Sequence, residues 1–358
     1  QFEEESAEGS YALPIRIRDS RNLMFANIYL YRVIRMVTPY PAGVLIENAA
    51  GLDFRGLHVY GPSKFSYDNT LVDRTTGREV RSREIARLWV SGSAEVAGPP
   101  DARVERVAGG FEFIDGAAVD PHGNVWFVDG RQHHIYRWDH RAETLTLVRD
   151  APVSPASLTF DEAGHAIVVT NTGWRRGNVV SFHPDSSAAA LRELPLREGP
   201  LPSGRTYVWP GHLWRDAHDF ERVTSAVHDR YYESPDGSLV IPYQEDLFRA
   251  YSLRKATPGR PFVMADEFGQ KTVRFSVDQD GRLRDAEAIA EEGELDVAEG
   301  PDGNYYVAAG EIFVFDERGA LLDIIRMPER PATLVFGGPG RDELYVTARS
   351  GLYRVRLP

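Results

Sequence analysis

The sequence predicts an all-β protein in two parts, a small solenoid of stacked coils followed by a six-bladed β-propeller. Three observations predict it. Aromatic residues at 11% and 32 glycines favour strands and tight turns over helices. A segment near the N-terminus repeats itself at a 29-residue offset, from Ile17 to Ile46. Beyond residue 100 a strand, turn and strand unit returns six times.

In the first part, Leu23, Phe25, Ile28 and Leu30 line up with Leu52, Phe54, Leu57 and Val59, with a polar corner at Asn27 or Gly56. A weaker third copy runs from Ile85 to Ser91. Alternation turns one face of each short strand inward, and a fixed period with a corner marks coils too small to bury that face alone. This stretch resembles the parallel β-helix of pectate-lyase-like carbohydrate proteins; a β-sandwich with look-alike strands is the alternative. A solenoid starting this abruptly lacks a cap, so further N-terminal coils or a second chain is expected to pack on residues 1–98. Small, polar and Pro/Gly-rich residues between Trp89 and Val104 read as a linker, placing the boundary near residue 98 and the propeller at 99–358.

The propeller unit is clearest in Gly116-Ala-Ala-Val-Asp-Pro-His-Gly-Asn124 with Val125-Trp-Phe-Val-Asp129 and His134-Ile-Tyr-Arg-Trp138. Further units centre on Asp161 and Gly164, Asp236 and Gly237, Asp280 and Gly281, and Asp302 and Gly303; the last runs from Thr333 to Arg356. Asp recurs because its carboxylate accepts backbone N–H groups two residues on, and Gly because it takes a positive φ. Six units suit six blades, with the two chain ends sharing one so that no long edge stays open; the fourth unit lacks a recognisable first strand, which leaves five or seven blades as alternatives.

Charge and composition exclude several functions. A net charge of −12 repels nucleic acid, and the absence of cysteine removes disulfides, thiolate metal sites and cysteine nucleophiles. No apolar stretch approaches the roughly 20 residues of a membrane span, and the first residues lack the features of a signal peptide. The expectation is a protein outside the membrane, in the periplasm or medium ahead of the cytosol.

Residues 105–358 resemble the senescence-marker-protein/gluconolactonase (regucalcin-like) family. The carriers are Ile114 to Asp129, then Ala265-Asp-Glu267 with Thr272-Val-Arg-Phe275, and Leu334-Val-Phe-Gly-Gly338 with Leu344-Tyr-Val-Thr-Ala348. The resemblance implies a divalent metal, calcium-like, held on the axis by oxygen ligands, and the opening of sugar-acid lactones. Carried over position by position, the ligands are Asp115, where the family has Glu, and Asp229, where it has Asn. The third position is Leu295, between Glu294 and Asp296, so the pattern holds only if the register slips by one to Asp296. The plainer readings are that Asp115 and Asp229 cap their own turns, and that Asp296 is solvated within an acidic run.

An insertion between the second and third units, Tyr207-Val-Trp-Pro-Gly-His-Leu-Trp-Arg-Asp-Ala-His-Asp-Phe220, gathers aromatic, basic and acidic residues. Trp209 and Trp214 offer faces for sugar rings, while His212, Arg215, His218 and Asp219 offer a base and polar clamps, joined by Tyr231 and Tyr243. Alternatively the loop is a plug with the two tryptophans as its core. His133 and His134 follow Asp129 on the face of the pocket opening, or are simply solvated. Three functions remain open: a metal-assisted lactonase with Asp229 as base; a uronate lyase using His212, Arg215, Tyr231 and Tyr243; and a propeller that binds a glycan or protein without catalysis.

Overall fold

The computed structural model describes residues 15–20, 23–31, 42–49, 52–60, 69–81, 84–90, 103–150, 154–172, 177–185, 191–213, 228–244, 247–248, 250–267 and 271–357. The chain divides into two compact units, Gln1–Pro100 and Asp101–Pro358.

In the first unit, Ile15–Arg18, Ala42–Glu47 and Asn69–Asp73 form a parallel ladder, and Met24–Tyr31 runs parallel to Leu52–Tyr60. The pairs Ile17 with Ile46 and Phe25 with Phe54 restate the repeat seen in the sequence. Inward alternation builds one core from both ladders, including Ile17, Val44, Ile46, Phe54, Val59 and Leu71. Phe25 stacks on Phe54 at 4.8 Å. The expected third coil at residues 85–91 is not one, because Glu84–Val90 runs antiparallel to Leu52–Tyr60. The cause is local. After Asn69–Asp73, the Asp73 carboxylate accepts the Thr75 N–H (2.8 Å) and the Thr76 hydroxyl (2.7 Å), and Gly77 takes φ +76°, which reverses the chain into Arg78–Val80.

The second unit is a six-bladed propeller. The first blade is Ile114–Val119, Val125–Asp129, His134–Asp139 and Thr144–Asp150. The second is Pro155–Phe160, Ala166–Thr170, Val179–Phe182 and Arg192–Glu193. The fifth is Asp296–Glu299, Tyr305–Ala309, Glu311–Phe315 and Leu321–Ile325. In the sixth, Pro331–Gly337, Glu343–Ala348 and Gly351–Val355 are completed by Val104–Gly109, so the two ends of the unit share a blade. The closure turns two edges into one ladder, Val355 pairing with Val104.

The third and fourth blades depart from the simple order. The third reads Leu253–Ala256, Thr206–Pro210, Leu239–Pro242, Arg230–Glu233, Arg197–Glu198. Thr206–Pro210 lies antiparallel to Leu253–Ala256 and parallel to Leu239–Pro242. The chain then bends at Gly211, and His212–Leu213 joins the fourth blade beside Phe262–Asp266, followed by Lys271–Val277 and Leu283–Ala290. Leu253–Ala256 is the innermost strand of its blade, since it touches the first strand of the second blade and, through Arg254, bonds to Asp296 and to the Leu334 carbonyl on those of the fifth and sixth. Arg230–Glu233, which opens the third sequence unit, therefore lies three strands farther out.

The Asp-Gly turns close as the sequence implies. The Asp120 carboxylate accepts the N–H groups of His122 and Asn124 (both 2.9 Å) and the Trp126 indole N–H (2.9 Å). The turn at Asp236 also ties two blades together. Its carboxylate accepts the Ser234 hydroxyl (2.6 Å), the Ser238 N–H (2.9 Å) and, from the second blade, the Ala163 N–H (2.9 Å). Burial pushes this carboxyl up, but the donors outweigh burial and hold it well below the usual range. A lowered folded pKa means stability that is complete above the unfolded value of about 4 and is lost as pH falls below it. Asp236→Ala is expected to lower the melting temperature by about 3–12 °C at pH 7, from roughly 1.5–3 kcal/mol for hydrogen bonding to a charged group at about 2–4 °C per kcal/mol. The gap to wild type should close as melts followed by circular dichroism are taken from pH 4 down to pH 2.

Candidate active site

Strand alternation and blade convergence bring a polar side chain from each blade into one buried region on the axis. They are Asp115 and Ser157 from the first two blades, Ser252 and Arg254 from the third, His212 from the fourth, Asp296 from the fifth and Thr333 from the sixth. Asp115, Ser157, Ser252, Asp296 and Thr333 have no exposed surface, and His212 is 3% exposed. The Thr333 hydroxyl accepts the Gly116 N–H (3.1 Å) and donates to the Tyr251 carbonyl (3.2 Å), joining three blades. The His212 ring lies 4.7 Å from that of Tyr251.

At the centre is an ion pair. The Arg254 guanidinium donates to both carboxylate oxygens of Asp296 and to the Leu334 carbonyl. Asp296 also accepts the Ser252 hydroxyl (2.6 Å) and the Leu334 N–H (2.8 Å). Burial pushes the Asp296 carboxyl up, and the guanidinium, the N–H and the hydroxyl oppose it. With four donor contacts the geometry is that of a carboxylate paired with a guanidinium. Gly211 makes room for it: a Cβ there would meet Ser252 Oγ at 2.1 Å and Asp296 Oδ1 at 2.7 Å. A second buried pair, Arg330 with Glu294, joins the segments leading into the sixth and fifth blades.

The residues expected to hold a metal separate in the structure. Asp115 and Asp296 are buried on inner strands, and the register does slip by one: Leu295 packs into the core while Asp296 reaches the axis, buried rather than solvated. Asp229 is elsewhere. Its side chain is 77% exposed, 3.8 Å from Arg230, beside a cavity of about 260 Å³ lined by Leu201, His228, Asp280 and Arg282. Among the described residues no three His, Asp or Glu side chains gather to hold an ion. The described residues therefore do not fit the calcium-like site that the resemblance implies.

The remaining candidates divide similarly. Trp209 is fully buried in a core with Tyr207, Met264 and Phe275, its ring 4.9 Å from that of His228. Tyr231 packs against the same core, and Tyr243 stacks under Arg230 (4.3 Å) in the third blade. His133 is exposed at φ +60°, and His134 is held by Tyr136 Oη (2.9 Å) and Asp150 (3.2 Å). Trp214, Arg215, His218 and Asp219 lie outside the described residues. Sequence reasoning missed Arg254, Ser252 and Thr333. The local signal is a pair of cations, Arg254 and Lys255, between the apolar Leu253 and Ala256; alternation puts them on opposite faces of a strand and does not say which face meets the axis.

Residues 211–350 match the family model described as SMP-30/Gluconolactonase/LRE-like region. The propeller carries an SMP-30/gluconolactonase/LRE-like region. The resemblance read from residues 105–358 is thus borne out over the matched residues. Among solved structures, a luciferin-regenerating enzyme is 14% identical with a TM-score of 0.50, over 72% of this chain and 96% of that one. A putative gluconolactonase is 17% identical with a TM-score of 0.49, over 72% and 93%. A gluconolactonase from Xanthomonas campestris is 16% identical with a TM-score of 0.48, over 71% and 89%. The likeness to the luciferin-regenerating enzyme is one of fold. No curated protein matches the chain.

Proposed function

We propose that the propeller is a lactonase-type hydrolase acting on a sugar-acid lactone or related carbohydrate ester at its axis. The observation that supports it is that His212, Ser252, Arg254, Asp296 and Thr333 all fall within the residues matched to the SMP-30/gluconolactonase/LRE-like region. Water adds to the ester carbonyl, the ring C–O bond breaks, and the product is the open hydroxy acid.

The chain's own groups supply what that reaction needs. Charge develops on the carbonyl oxygen in the transition state, and N–H donors of Arg254, oriented by Asp296, stabilise it in a site from which bulk water is excluded. The His212 imidazole takes the proton from the attacking water and returns it to the ring oxygen as the C–O bond breaks. Asp296 is a positioning residue that acts through Arg254.

The test is a pH-stat titration of the full chain with glucono- and galactonolactones, with and without a chelator. Acid release that saturates with substrate, exceeds spontaneous opening and falls on His212→Ala substitution is the expected result. Release no faster than the enzyme-free control for every lactone would end this reading.

A further inference from the structure

We infer that Arg254 is the built-in axial cation of this propeller, filling the position in which a divalent metal ion would otherwise neutralise Asp296. The oxygens that the guanidinium gathers are the two carboxylate oxygens of Asp296 and the Leu334 carbonyl, drawn from the fifth and sixth blades. Hard cations such as calcium take this kind of donor set, carboxylate and backbone carbonyl oxygen together. A planar guanidinium with fixed N–H groups satisfies the same oxygens directionally and stays charged at every working pH.

Three further observations make the occupancy structural. The Arg254 side chain is 19% exposed and that of Asp296 is 0% exposed, so the pair is shielded from competing water. Ser252, two residues from Arg254 on the same chain segment, gives Asp296 another donor. Gly211 leaves no side chain that could displace the pair. A metal ion entering here would have to expel a guanidinium already bonded to its ligands; of the other expected ligands, Asp115 is buried on the inner strand of the first blade and Asp229 is exposed beside an outer strand. The inference concerns cation binding alone, so it stands or falls separately from lactone hydrolysis.

Calorimetric titration of the chelator-stripped full chain with calcium and with manganese tests it. Wild type is expected to show no saturable site that depends on Asp296. An Arg254→Met variant, which keeps the side-chain volume and removes the charge, should gain one, seen as a rise of several degrees in melting temperature on adding calcium; an Arg254→Lys variant should not. Stoichiometric calcium binding by wild type that Asp296→Ala abolishes would overturn the inference. So would an Arg254→Met variant that folds and responds to calcium no more than wild type. The wild-type titration is decisive even where that variant fails to fold.

Discussion

An Asp296→Ala chain is expected to lose about 3–5 kcal/mol of propeller stability, because the substitution removes one partner of a buried pair and leaves the other charged. The guanidinium of Arg254 would keep the Leu334 carbonyl as acceptor but lose both carboxylate oxygens, and Ser252 and the Leu334 N–H would lose theirs. Urea unfolding followed by circular dichroism measures the loss. A combined Asp296→Leu and Arg254→Met chain should recover much of it, since replacing both members of a buried pair by apolar residues is often close to neutral. Lactone hydrolysis should be absent from the single and the double variant alike, separating the pair's part in function from its part in folding. A single variant within about 1 kcal/mol of wild type would mean that the pair is not desolvated as the structure has it.

The second large effect concerns Trp209. Its ring has no exposed surface and packs with Tyr207, Leu213, Phe262, Met264 and Phe275 in the core between the third and fourth blades. Trp209→Ala should lower stability by about 3–5 kcal/mol through lost burial and a cavity that cannot fully collapse. Trp209→Phe, which keeps a ring in the same slot, should lower it by much less and leave the KM for a lactone unchanged. A Trp209→Phe chain of wild-type stability with a many-fold higher KM would instead make the ring a sugar platform. Unfolding curves and lactone kinetics on the two variants distinguish the outcomes.

Some features were legible in the sequence because they are local. The Asp and Gly of each turn act on atoms within a few residues, as Asp120 does on His122 and Asn124, so their recurrence marks a repeated strand-turn-strand unit. The 29-residue repeat in the first unit predicts the register of Ile17 with Ile46, because stacked coils pair equivalent residues. The reversal after Asn69–Asp73 is not legible because a turn of Asp, Thr and Gly is equally compatible with a corner and a hairpin, and strand pairing then decides between them.

The candidate site was less legible, and the reason is distance along the chain. Asp115 could be found from its spacing to a turn glycine, because an inner strand has a set length, whereas the same spacing in the fifth blade points to Leu295, one residue short of Asp296. Asp229 has the same spacing yet lies just before an outer strand, Arg230–Glu233, because Thr206–Pro210 enters the sheet and Leu253–Ala256 takes the innermost place.

By itself the sequence determined the all-β class, the repeating turn chemistry and the repeat that makes a propeller, each of which follows from local propensity or from a period, while the structure fixed the number of blades at six. Only the tertiary structure decided which strand lies on the axis, and hence that Arg254 rather than Asp229 faces Asp296. That choice depends on how residues more than forty positions apart desolvate and bond one another, an energy that no local pattern encodes.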